Sequence, residues 1–112
     1  MIVASLIPKP EKREAFRRSR EKMIPAEKGC YVLANVREEV LYIGLAIDLR
    51  RRFGQHLDTP EKIAATSLGV AVFFYWLESA DTNKLERTWM NIHQLAEGKL
   101  PVLNSVYSPT ST

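Results

Sequence analysis

Six polar side chains in this sequence have types and spacings that suit chemistry. Tyr31 and Tyr42 lie eleven residues apart, Arg52 and His56 are separated by four, and Glu86 and Asn104 follow further along the chain. Phenols and an imidazole relay protons, a guanidinium offers a fork of donors to an anion, and a carboxylate holds a hard divalent cation. Taken singly, each also has an ordinary structural reading. A tyrosine on a strand is usually half-buried packing, and the run Arg50-Arg51-Arg52 reads as a solvated helix face. A lone histidine is more often a surface or satisfied core residue. A glutamate near a helix start complements the dipole, and an asparagine after an extended apolar run caps a turn.

The surrounding sequence shows which elements must position these groups. Residues 10–23 read as a helix with Ala15, Phe16 and Met23 as its apolar contacts, ended by Pro25. Gly29 introduces a strand over 30–36, charged Arg37-Glu38-Glu39 make a turn, and Val40-Leu41-Tyr42-Ile43 return antiparallel. From Asp48, a plausible N-cap, to Leu57 the buried stripe Leu49, Phe53, Leu57 predicts a helix, with Arg52 and His56 sharing one face beside it. Thr59-Pro60-Glu61 starts a short helix. Residues 70–77 (VAVFFYWL) form a central strand. A last helix runs from about Thr82 to Glu97, buries Leu85, Trp89, Ile92 and Ala96, and stops at Gly98. The fold class is therefore α/β (α+β): a small, mainly antiparallel three-stranded sheet flanked by helices.

Gly29-Cys30-Tyr31 followed by Leu41-Tyr42-Ile43-Gly44 resembles the paired signature of the GIY-YIG nuclease family. The second element is literal, and the first departs only at Cys30. Arg52 and His56, ten and fourteen residues after Tyr42, stand where the family has its arginine and a His or Tyr. Glu86, with Trp89 three residues on, matches the family's glutamate, and Asn104 its terminal asparagine. The resemblance runs from residue 29 to about residue 107. It implies a catalytic domain over 29–112, which leaves residues 1–28 as a basic N-terminal helical extension. One departure matters: many relatives carry a lysine or polar residue after the second glycine, and here that position is Leu45.

The resemblance implies a divalent-metal-dependent endonuclease that hydrolyses phosphodiester bonds in DNA, and the residue types suit that reaction. Glu86 would be the metal ligand, holding Mg²⁺ or Mn²⁺ with waters. Arg52 would donate to the non-bridging oxygens as their charge grows. Tyr31 and Tyr42 would position or deprotonate the attacking water, and His56 would accept a tyrosyl proton or bind phosphate. Which tyrosine is the base stays open at this level. The alternative is a nucleic-acid-binding or protein-interaction module that keeps the fold with weak or no catalysis, a reading that Leu45 favours.

Composition bounds the partners. The 112 residues suffice for one domain, and an apolar content of 46% excludes disorder throughout. Net charge is +3, but residues 9–22 hold seven bases against three acids, a net of +4, which leaves −1 elsewhere. That basic arm (Arg13, Arg17, Arg18, Arg20), together with Arg50 and Arg51, suits a polyanion, so DNA, branched or damaged DNA included, is the expected partner. A protein partner or oligomer supplying specificity is the other expectation. The opening apolar run stops at Pro8 with no basic segment before it, which argues against a signal peptide. No stretch approaches the ~20 apolar residues of a membrane helix. One cysteine, Cys30, cannot form an internal disulfide, and its apolar neighbours suggest a buried thiol. A cytoplasmic location follows as the expectation. His93, seven residues from Glu86, lies too far along the helix to share a metal with it and reads as structural.

Overall fold

The computed structural model describes residues 1–106; the end of the expected catalytic domain, 107–112, lies outside the described residues. Four strands, β1 (Lys12–Ala15), β2 (Gly29–Ala34), β3 (Val40–Ala46) and β4 (Phe73–Glu78), form one antiparallel sheet in the order β1-β4-β2-β3. The central hairpin and the long apolar strand are present, but β2 stops at Ala34 rather than running to 36 and β4 starts at Phe73 rather than 70. The three-stranded expectation is corrected by one strand, and that strand comes from the supposed helix.

Residues 10–23 are not helical. Lys12–Ala15 pair with Trp76–Phe73 along the outer edge of β4, and a 3-10 turn over Arg18–Met23 follows. The physical reason is tertiary. β4 would otherwise present an unpaired row of backbone donors and acceptors, and pairing it outweighs a weak local helix preference. Arg13 lies 4.4 Å over the Phe73 ring, and Phe16 packs edge-on against Phe53 at 5.4 Å.

Among the described residues four α-helices complete the fold: α1 (Leu49–Leu57), α2 (Pro60–Ile63), α3 (Thr82–Glu97) and α4 (Val102–Val106). Alternation along β2 splits the core into two layers. Tyr31 and Leu33 join Phe16, Ile24, Leu49, Phe53, Phe74, Trp76 and Leu103 on the face covered by the 3-10 turn and α1. Cys30, Val32 and Ala34 join Val3, Leu6, Leu85 and Trp89 on the face covered by α3. β3 breaks alternation once. Leu33 pairs with Tyr42 and Ala34 with Val40, so Leu41 is an extra residue bulged out of the ladder. The bulge puts Tyr42 on the layer of Tyr31 rather than on that of Val40.

The caps follow the sequence reading. Asp48 accepts a hydrogen bond from Arg51 N, Asp81 does the same for Lys84 N, and Gly98 ends α3 in the left-handed conformation at φ 75°. One face is corrected: Ala96 is exposed, and His93 takes the last inward position of α3, its Nδ1–H donating to Lys99 O at 2.8 Å. A histidine at that place can satisfy a carbonyl beyond the helix end, which alanine cannot.

Because Phe16 is buried between Phe53 and Phe74, Phe16→Ala should cost about 3 kcal/mol of unfolding free energy. Urea denaturation measures this. A loss near zero would mean that the arm does not belong to the core.

Candidate active site

Four of the six candidate side chains gather on the α1 face of the sheet. Tyr31 is fully buried, stacked on Phe74 with ring centres 5.1 Å apart and planes 7° apart. Its hydroxyl lies 2.5 Å from His56 Nε2. The Tyr42 ring is 5.9 Å from that of Tyr31 and edge-on to His56 at 5.3 Å, and it keeps a small exposed fraction, 8%. Arg52, one turn before His56, donates from Nε to Gln55 Oε1 at 2.9 Å and lines a small cleft of about 140 Å³ with Ile47, Asp48, Arg51 and Gln55.

Both glycines of the paired tripeptides are steric requirements. Tyr31 sits opposite Gly44 in the ladder, and a Cβ on Gly44 would lie 2.5 Å from the Tyr31 ring and its hydroxyl. A Cβ on Gly29 would lie 2.5 Å from Leu77 O. No real side chain tolerates either approach, so Gly44 lets the phenol lie flat across the neighbouring strand toward His56.

Asn104 reaches the site from α4 through the backbone. Its Oδ1 accepts from Ile43 N and its Nδ2 donates to Ile43 O, both at 2.9 Å. Ile43 lies on the outer strand of the sheet, and the carboxamide stands in for a further strand there. The residue held is the one between Tyr42 and Gly44.

Glu86 stands on α3, on the other side of the sheet, half-buried. Burial pushes its carboxyl pKa up, and its charge helps to raise those of both Cys30 and Tyr42. Among the described residues no group of three or more His, Cys, Asp or Glu side chains converges on a metal position.

The electrostatics divide the two phenols. Burial raises the Tyr31 pKa well above its ordinary value, the Tyr42 charge adds to this, and Arg52 partly offsets it. Tyr42 is raised by burial too, with the Tyr31 hydroxyl and Arg52 pulling it down and Glu86 pushing it up. His56 is held neutral: burial first, then the charges of Lys62 and Arg52, lower its pKa to about 3. Cys30 donates to Thr82 O at 3.2 Å and is pushed up to about 12 by burial, so it is a packed thiol and no nucleophile.

Sequence reasoning missed Lys62. Its ammonium lies 4.4 Å over the Tyr42 ring, and the residue is 2% exposed. No periodic signal could have marked it, because it comes from a four-residue helix beyond the turn after α1.

The basic residues are largely committed within the fold. Arg13 meets Glu38, Arg20 meets Glu14, and Arg18 meets Glu21 and Asp58. Arg50 donates to Ile24 O at 2.7 Å and Lys22 O at 3.3 Å, tying α1 to the 3-10 turn. Arg17 and Arg51 are exposed.

Comparison with known families decides the relationship: residues 27–96 match the model of the GIY-YIG catalytic domain. The chain belongs to the GIY-YIG family. A GIY-YIG nuclease domain accounts for the two glycines, the tyrosine pair and the shared face of α1 together. A similar relative is the UvrABC system protein C of Finegoldia magna (strain ATCC 29328 / DSM 20472 / WAL 2508), 38% identical over 53 residues. That match covers 47% of this chain and 9% of the relative.

In the folded chain His56 stays neutral down to about pH 3, whereas the unfolded chain takes up a proton near 6.5. Its contribution to stability is therefore complete above 6.5 and is lost as pH falls through that window. The fall in melting temperature between neutral pH and pH 4 should be smaller in His56→Gln than in wild type. Parallel curves would mean that the imidazole is protonated in the native state.

Proposed function

We propose that the chain is a divalent-metal-dependent endonuclease domain that hydrolyses phosphodiester bonds in DNA. The observation that carries the reading is the convergence of Tyr42, the Tyr31–His56 pair and Arg52 on one face, with Glu86 acting on Tyr42 from across the outer strand. Each group then has a role. Tyr42, the less buried phenol, orients the attacking water and, once its own proton has gone to solvent, accepts the water's proton as the phenolate. Tyr31, inaccessible to solvent, shares a hydrogen bond with neutral His56 and holds that imidazole beside Tyr42. Arg52, at the cleft, donates to the non-bridging phosphate oxygens. Asn104 positions Tyr42 by fixing Ile43.

The residues present fit a metal held mainly by water. Glu86 is a half-buried carboxylate whose pKa is raised by lost hydration, the condition that a cation relieves. Mg²⁺ usually keeps several waters and needs few protein ligands. When bound there, Mg²⁺ or Mn²⁺ supplies Lewis-acid stabilisation of charge on the phosphate and leaving oxygen.

The family and the relative's place in a multi-protein system support a partner or attached domain as the source of specificity, for DNA that includes branched or damaged forms. Arg17 and Arg51 are the basic residues best placed to meet the backbone, since Arg13, Arg18, Arg20 and Arg50 have partners within the fold. A cytoplasmic setting suits the single buried thiol, and among the described residues no helix is long and apolar enough to cross a membrane. The second reading, a binding module with weak catalysis, draws on Leu45. That side chain is buried in the α3 layer and brings no charge to the tyrosine face.

Nicking of plasmid and branched DNA with Mg²⁺ or Mn²⁺ separates the two. Glu86→Gln should abolish cleavage and leave the fold intact. Arg52→Ala should lower the single-turnover rate by about 10²-fold. Arg50→Ala should lose stability rather than rate, because it frees two backbone carbonyls. Equal rate losses at 50 and 52 would instead make the arginine run a bulk phosphate patch, and no cleavage by wild type would favour the binding module.

A further inference from the structure

α2 is built backwards for an ordinary surface helix. Of its four residues, Pro60, Glu61 and Ile63 are exposed and Lys62 is buried, 2% exposed against 46% for Ile63 beside it. Lysine is among the residues least often buried, because taking an ammonium from water is costly. Packing alone would turn the helix the other way and bury the isoleucine. The chain instead leaves an apolar side chain in solvent and places a cation 4.4 Å above the Tyr42 ring.

The position is electrostatically specific. A cation over an aromatic face is attracted to the ring, and the attraction grows when the ring carries phenolate charge. Tyr42 also keeps a small exposed fraction, whereas Tyr31 is fully buried with its hydroxyl against His56. Burial raises the Tyr42 pKa most, the Tyr31 hydroxyl and the Arg52 charge lower it, and the Glu86 charge raises it. The Lys62 charge also helps to keep His56 neutral. Burial lowers the Lys62 pKa and the neighbouring Glu61 opposes this; in its charged form the ammonium favours the ionised form of one partner and the uncharged form of the other.

We propose that Lys62 is a positioning residue for the reaction: its ammonium, held over the ring, stabilises the Tyr42 phenolate and so selects Tyr42 rather than Tyr31 as the proton acceptor. This rests on the endonuclease reading for its consequence. The step involves no new bond: the Tyr42 hydroxyl releases its proton to solvent, and the phenolate then takes a proton from the attacking water. Position 45 faces the α3 layer rather than this one, and the cation over Tyr42 comes from α2.

The test uses Lys62→Met, which keeps the stem and removes the charge, and Lys62→Arg, which keeps the charge. Tyrosine ionisation is followed by phenolate absorbance at increasing pH, each protein against its own Tyr42→Phe counterpart. In Lys62→Met the Tyr42 titration should move up by about one pH unit, with the single-turnover rate at neutral pH down about tenfold and the rate–pH curve displaced by the same amount. DNA affinity should be unchanged, and Lys62→Arg should restore most of the rate. A Tyr42 titration that does not move in a folded Lys62→Met protein overturns the proposal, whatever the cleavage assay shows. A loss of DNA affinity with wild-type rate at saturating DNA also overturns it, making Lys62 a phosphate contact. Absence of cleavage by wild type counts against the endonuclease reading alone, because the titration needs no turnover.

Discussion

The arrangement depends on one close approach: the Tyr31 ring lies across Gly44, in the space that any side chain there would occupy. That approach lets a bulky phenol lie over the neighbouring strand and brings its hydroxyl to His56. His56 can meet it only if α1 is seated at a fixed height above the sheet. Phe53 and Leu49 set that height, buried about one and two turns before the imidazole. Arg52 shares the face of His56, so its placement follows from the same seating. Gly29 performs the complementary task on the other side, letting β2 pass against the Leu77 carbonyl.

The second constraint is the outer strand. β3 carries Tyr42 on one layer and Leu45 on the other, and the bulge at Leu41 decides which residue faces where. An unpaired outer strand tolerates sliding and fraying. Asn104 suppresses both by occupying the donor and acceptor of Ile43 with a single side chain. The same outer position lets Glu86, on the opposite helix, act on Tyr42. A phenol on an interior strand would be screened from that carboxylate by the sheet.

Much of this was legible because it is written in local chemistry. The tripeptides announce a strand pair, Asp48 and Gly98 announce helix ends, and Leu49, Phe53 and Leu57 orient α1 well enough to put Arg52 and His56 on one face. The parts that were not legible depend on partners distant in the chain. Residues 10–23 have a helix-compatible composition, and only the open edge of β4, about sixty residues later, makes Lys12–Ala15 a strand. Arg13, Arg18, Arg20 and Arg50 look like one cationic surface in the sequence and are individually neutralised or tied to backbone carbonyls in the fold. Ala96 fits the helical stripe, but the chain beyond Gly98 returns a carbonyl that only His93 can satisfy. Lys62 runs against the apolar pattern of its own helix, so a pattern-based reading must miss it.

The central claim is that the two tyrosines are not equivalent: the buried one organises and the partly exposed one reacts. Single-turnover cleavage by Tyr42→Phe and Tyr31→Phe, each checked for fold, measures this directly. Tyr42→Phe should lose about 10²-fold or more in rate with little loss of stability. Tyr31→Phe should lose stability, because it strands the buried His56 nitrogen, and should lose less in rate. A Tyr42→Phe protein that cleaves at the wild-type rate would contradict the account.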